Sequence, residues 1–168
     1  ANPITDPSNY RNIGYPITQQ IYVRVDSDLD NACLGLGHHI TVNVDPVPTA
    51  TETEDIELCD NDDDGIPNNG IVQTFDLEAQ TPVILGTQNP ANFTVTYHLS
   101  YDDALNGLNA IVNTDAYENS IPFLETIYVR VVNNTTGCFT NHTSFDLIVN
   151  PLPVANPVSN IEECDDDT

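Results

Sequence analysis

Asp60, Asp62 and Asp64 stand at alternate positions, and Gly65 follows them directly. Carboxylates at this spacing can converge on one hard cation while the glycine makes the sharp turn, which is the first half of a calcium-binding loop. The backbone carbonyl of Ile66 falls at the seventh position of such a loop. The twelfth position is Ile71, so the bidentate glutamate that completes an EF-hand is missing. Asp55 and Asp76 are candidates for closing the shell. A partial second copy, with Asp165 and Asp167, follows Cys164. The expected cofactor is Ca2+, held by Asp60, Asp62, Asp64 and Ile66, and in the second copy by Asp165 and Asp167. The alternative is a solvated acidic turn with no metal.

Other chemistry is weaker. His38-His39 is a doublet in an extended segment, where neighbouring side chains point to opposite faces and do not chelate together. His142 lies two residues before Ser144, but no nucleophile-elbow glycines flank that serine and it sits in an alternating strand. No enzymatic activity is expected. Tyr22, Arg24, Tyr128 and Arg130 alternate with apolar residues and form an outward face. The favoured reading pairs those arginines with some of the many carboxylates.

The charge balance sets the range of partners. The chain has 26 acidic residues and 3 cationic ones, a formal net charge of -23. Nucleic-acid binding needs a basic surface and is excluded. Docking on anionic lipid is disfavoured for the same reason. No apolar run is long enough to span a bilayer, so no membrane insertion is expected. Self-repulsion of this size calls for a screening cation. The absence of a signal peptide or any methionine reads as an interior piece of a longer precursor.

The chain repeats itself. Ile21-Tyr22-Val23-Arg24-Val25 recurs as Ile127-Tyr128-Val129-Arg130-Val131, and a lone cysteine follows each copy, Cys33 and then Cys138. Val44-Asp45-Pro46-Val47-Pro48 matches Val149-Asn150-Pro151-Leu152-Pro153, and Ile56-Glu57-Leu58-Cys59-Asp60 matches Ile161-Glu162-Glu163-Cys164-Asp165. The offset is about 105 residues, the size of a domain. Residues 1–50 read as the C-terminal half of one repeat, 51–155 as a complete repeat, and 156–168 as a linker and the start of the next. The joints, Pro46 to Asp55 and Pro151 to Asn160, read as extended and semi-rigid.

Within the complete repeat, Phe93, Val95, Tyr97 and Leu99 alternate with polar residues, as do Ile127, Val129 and Val131, and Phe145, Leu147 and Val149. Strands are also expected from Phe75 and at Val83 to Leu85. Turn chemistry from Asn133 to Gly137 predicts a hairpin of 126–132 with 139–150. Ser100, with an acid three residues on, predicts an N-cap and one helical turn through Leu105. Nothing else reads as helix. About seven short strands in roughly 100 residues predict an all-β fold, immunoglobulin-like β-sandwich domains in tandem.

Four cysteines in a lysine-free chain suggest an oxidising compartment, and they allow three complete pairings. The sequence-local choice is Cys33–Cys59 with Cys138–Cys164. In a sandwich, however, the final hairpin turn lies at the end where the domain begins, which favours a Cys59–Cys138 disulphide and leaves Cys33 and Cys164 to partners outside the chain.

Taken in order, Glu57-Leu58-Cys59-Asp60-Asn61-Asp62-Asp63-Asp64-Gly65, Phe75-Asp76-Leu77, Ile127-Tyr128-Val129-Arg130-Val131, Gly137-Cys138 and Asn150-Pro151-Leu152-Pro153 carry a resemblance. The chain resembles the tandem repeats of very large Bacteroidota surface proteins, the SprB-like gliding-motility adhesins. The stretch from Ile66 to Gln73 is longer here than the usual spacing in those repeats. The resemblance implies export by type IX secretion, display at the bacterial cell surface, and a part in adhesion or gliding. The expected function is that of a structural or adhesive repeat in a calcium-stabilised rod. Its partners would be neighbouring repeats, other copies in a filament, or a surface polysaccharide or protein. Two alternatives stand beside it: a filament-forming assembly subunit, and an accessory carbohydrate-binding domain of a secreted enzyme.

Overall fold

The computed structural model describes residues 3–12, 17–26 and 34–160. The chain forms two compact units, Ala1–Val47 and Pro48–Thr168. The division falls three residues before the expected one because the chain is already anchored in the second unit there. Pro48 is buried, the Thr49 carbonyl accepts from Gln88 Nε2 at 2.7 Å, and Thr51 N donates to the Ile84 carbonyl at 2.9 Å. Much of the supposed joint is therefore part of the second unit.

The first unit is an antiparallel hairpin of β1 (Thr18–Asp26) and β2 (Leu34–Asn43). Ile21 pairs with Ile40 and Tyr22 with His38, so His39 is the extra residue of a bulge. The side chains of the histidine doublet lie outside the described residues. Cys33 lies outside them as well.

The second unit holds a four-stranded sheet in the order β3-β6-β5-β4, built from β3 (Ile56–Cys59), β4 (Phe93–His98), β5 (Leu124–Asn133) and β6 (Phe139–Asn150). Strand β3 runs parallel to β6, and the other pairs are antiparallel. The expected hairpin is β5–β6. Period-two patterning does what it should: Ile127, Val129, Val131, Phe145, Leu147 and Val149 are all buried on one face. Tyr97 joins them, edge-on to Phe145 at 6.1 Å. The repeated Ile-Tyr-Val-Arg-Val segment shows how far context decides burial. Val131 is 0% exposed, whereas its counterpart Val25 is 65% exposed on a hairpin that no second layer covers among the described residues.

What covers the sheet differs from the expectation. The facing layer carries Val72, Phe75, Leu77, Ile84 and Leu85, but among the described residues its strand content is a single bridge, Phe75–Tyr117. Residues 81–85 form a short helix, α1 (Thr81–Leu85), in place of the expected strand. Local signals explain this. The Asp76 carboxylate accepts from Ala79 N at 2.9 Å, Pro82 occupies the first turn, and Gly86 ends the helix at φ 56°. An apolar run of three is too short for periodicity to separate the two states.

The second helix, α2 (Tyr101–Asn106), is where the sequence puts it. Ser100 Oγ accepts from Asp103 N at 3.1 Å, and Gly107 caps the C-terminus in the left-handed region at φ 66°. Just before α2, alternation fails: His98 is buried and Leu99 is exposed. The imidazole is satisfied on both sides, Nδ1 by the Leu108 carbonyl at 2.7 Å and Nε2 by Thr96 Oγ1 at 2.9 Å.

Arg130 corrects another expectation. Its Nη1 donates to the carbonyls of Ala104 and Leu105, both at 2.8 Å, and its guanidinium lies 3.5 Å over the Phe139 ring. The only arginine or lysine of the second unit thus caps the negative end of α2 instead of pairing with a carboxylate. Arg130→Ala is expected to cost about 2 kcal/mol in a urea titration, from two charge-assisted hydrogen bonds and a stacked cation. Arg130→Lys should recover only part of that, because an ammonium cannot stack and fork together.

Candidate functional site

Cysteine placement organises the second unit. Cys59 ends β3, and its neighbour across the ladder is Asn150, the last residue of β6. Cys138 immediately precedes the first residue of that same strand, whose length is 12 residues. The two thiols therefore lie at opposite ends of the sheet, about 40 Å apart at ~3.3 Å per residue. The expected Cys59–Cys138 bond does not form. The chain does begin near the hairpin end, but it then runs the length of β6 before reaching Cys59. Thr143 Oγ1 donates to the Ala50 carbonyl at 3.2 Å, Asp146 N donates to the Asp55 carboxylate at 2.8 Å, and Ile56 pairs with Leu147. Cys164 lies outside the described residues.

The acidic loop begins at the Cys59 end, where Asp60 N donates to the Asn150 carbonyl at 2.7 Å. Asp60 is 2% exposed. Its carboxylate accepts from Gly70 N at 2.6 Å and Asn68 N at 3.1 Å. Asp64 accepts from Ile66 N at 2.8 Å and from the Asn69 side-chain amide. Asp62 uses its carbonyl to accept from Gly65 N at 2.8 Å, which closes the turn. Asp76 and Asp55 serve Ala79 and Asp146. Among the described residues, no group of three His, Cys, Asp or Glu side chains is placed to share an ion. In this conformation the loop does not fit the calcium geometry that its spacing implies. Asp165 and Asp167 lie outside the described residues.

What the loop does instead is hold the end of the unit together. Asn68 Oδ1 accepts from Leu152 N at 2.7 Å, which pins the departing chain. Gly70 sits at φ 78°, and a Cβ there would come within 2.7 Å of Phe123 N, so only glycine fits. Asn119 Oδ1 accepts from Val72 N at 2.7 Å, and its amide donates to the carbonyls of Gly70 and Ile121 at 2.8 and 2.9 Å. Glu125, 2% exposed, accepts from Tyr117 Oη at 2.9 Å, Ser120 N at 3.1 Å, Ile121 N at 3.2 Å and the Ser120 hydroxyl. Sequence reasoning missed Asn68, Asn119 and Glu125. The signal for Glu125 was available, since it is in phase with Ile127, Val129 and Val131 and so must face inward.

Burial pushes the phenols of Tyr97 and Tyr117 up to about 12, and for Tyr117 the Glu125 carboxylate adds to the effect. Both pKa values are raised above the unfolded value of 10.0, so the stability they contribute is complete below pH 10 and is lost as pH climbs toward 12. The urea midpoint is expected to fall across that window in step with tyrosinate absorbance. Tyr97→Phe should flatten the fall.

Elsewhere the surface offers an open groove of about 650 Å³ lined by Leu99, Asn109, Ile111, Val112 and Tyr117 among others. His142 and Ser144 lie exposed on β6. No described helix is long and apolar enough to cross a membrane.

Sheet, loop and cysteines together define a strand-rich domain of a tandem-repeat chain, with one thiol at each end. The chain belongs to the Flavobacterium inter-domain disulphide bond domain family, which matches residues 55–153. That membership fits a Bacteroidota surface protein in general and does not single out the gliding adhesins. No curated protein and no solved structure matches the chain.

Proposed function

We propose that this chain is a spacer segment in the stalk of a large secreted Bacteroidota surface protein, an adhesin or motility filament, and that its task is reach and stiffness and not catalysis. The observation that carries this reading is the placement of Cys59 and Cys138 at opposite ends of one unit, where neither can close on the other. So placed, the two thiols suit bonds along a chain of repeats and not within one, in keeping with a family described by its inter-domain disulphide. The parallel pairing of β3 with the last strand, beside β5 and β4, also resembles the CFG-type sheet of an immunoglobulin-like sandwich whose second sheet has been reduced to a bridge. The test is electron microscopy of the parent polypeptide. A rod whose contour length scales with repeat number supports the reading, and a compact particle removes it.

The acidic spacing keeps calcium as a proposed cofactor, one for which the loop would have to reopen. Thermal melts in calcium and in chelator decide this. A higher melting temperature with calcium supports the site, and superimposable melts remove it.

A further inference from the structure

We infer that Asn69-Gly70 is a latent self-modification site: the closed acidic loop withholds Asn69 from cyclisation, and loop opening releases it to convert irreversibly to aspartate or isoaspartate. The inference rests on the closed loop alone and stands whether or not the chain serves as a stalk.

The chemistry belongs to the residue pair. The backbone nitrogen that follows an asparagine can attack the carbonyl carbon of that side chain and close a succinimide ring. Glycine hinders this least, because it has no Cβ to crowd the attacking nitrogen. The sequence holds two such pairs, Asn69-Gly70 and Asn106-Gly107. At position 70 the fold accepts nothing bulkier, since φ is 78° and a Cβ would come within 2.7 Å of Phe123 N. The reactive pair is therefore built into the loop.

Each atom that has to move is held. The attacking nitrogen, Gly70 N, is buried and donates to Asp60 Oδ2 at 2.6 Å. Ring closure must strip the proton from this nitrogen, and the negative charge gathering there would face a buried carboxylate at hydrogen-bond distance. The carboxamide is tied at both of its ends. Asn69 Oδ1 accepts from Ile71 N at 2.8 Å, and the amide that must leave donates to Asp64 Oδ2.

The residue before this pair links it to the departing chain. Asn68 N donates to Asp60 at 3.1 Å, while Asn68 Oδ1 accepts from Leu152 N at 2.7 Å. Whatever draws on Leu152 thus draws on the loop that guards Asn69. Opening the loop breaks a few hydrogen bonds and leaves the sheet in place, so it is open more often than the unit is unfolded.

Once the loop opens, the step balances with water as the only co-reactant. Gly70 N gives up its proton and bonds to Asn69 Cγ. The Cγ–Nδ2 bond breaks, and the nitrogen takes up a proton and leaves as ammonia. Water then opens the ring at either carbonyl and leaves a carboxylate. That product cannot close the loop again. An anion now stands against Asp64 where a donor stood, and isoaspartate routes the main chain through an extra methylene. Chemical change of an opened state makes the opening irreversible.

The test ages the full chain at mildly alkaline pH and follows Asn69 and Asn106 by peptide mass spectrometry, with the same chain unfolded in urea as reference. Asn69 should convert at least ~100-fold more slowly in the folded chain than in urea, because only the opened fraction reacts. Equal rates overturn the inference. Asp60→Asn should speed conversion of Asn69 by ~10-fold or more through loss of a charge-assisted bond, with Asn106 unchanged. Slower conversion in that variant also overturns the inference, because it makes Asp60 the base that drives ring closure. If Asn106 quickens as well, the variant has unfolded, and Asp64→Ala decides: faster conversion confined to Asn69 supports the shield, and an unchanged rate removes it. Asn69→Asp stands in for the product and should lose exchange protection at the Leu152 amide; retained protection there sinks the irreversible locking.

Discussion

Replacing Glu125 with alanine is expected to lower the unfolding free energy of the second unit by about 4 kcal/mol, read as a fall in the urea midpoint at unchanged slope. The carboxylate is buried and gathers donors from Tyr117, Ser120 and Ile121. Alanine leaves those donors facing a cavity, and each buried donor left without a partner costs about 1–3 kcal/mol. A single domain has only about 5–15 kcal/mol in total, so the variant should be partly unfolded at growth temperature. Glu125→Gln keeps the volume but turns an amide toward backbone N–H groups, and it should recover less than half of the loss. Pairing Glu125→Gln with Tyr117→Phe tests the network, because costs that fail to add locate the coupling at their shared hydrogen bond.

Asp60→Ala should cost about 3–4 kcal/mol, and its effect should extend beyond stability. The bonds from Gly70 N and Asn68 N to this carboxylate set the path of the loop, and Asn68 in turn holds Leu152. Loss of two charge-assisted bonds accounts for the energy. Release of Leu152 should show in hydrogen exchange as loss of protection at that amide before the rest of the sheet opens. Asp62→Ala, whose side chain is exposed, should be close to neutral. If both variants cost the same, the loop is not organised by Asp60.

The sequence made some of this legible and hid the rest for physical reasons. The β5–β6 hairpin and α2 were readable because their signals are local: alternation over many residues, a polar turn, a serine cap and a glycine stop. The facing layer was not, because Val83-Ile84-Leu85 fits strand and helix equally, and the deciding groups, Asp76 and Gly86, lie outside the run. The acidic triplet was read from spacing alone. Nothing in the spacing shows that Asp60 turns inward to the loop's own amides, since Gly70 and Asn68 lie eight to ten residues on. The disulphide expectation failed on topology. It placed Cys59 at the start of the domain, and a parallel first strand carries that residue to the far end.

That parallel first strand also bears on how the unit answers tension. Where no disulphide joins neighbouring repeats, a pull along the string draws β3 by its leading end and β6 by its trailing end, in opposite directions along neighbouring strands. The ladder from Ile56–Leu147 to Cys59–Asn150 is then strained lengthwise, so its hydrogen bonds share the force and must rupture together instead of peeling one by one. Domains arranged this way give way slowly, and the rate of rupture under force, not equilibrium stability, sets how long each link survives.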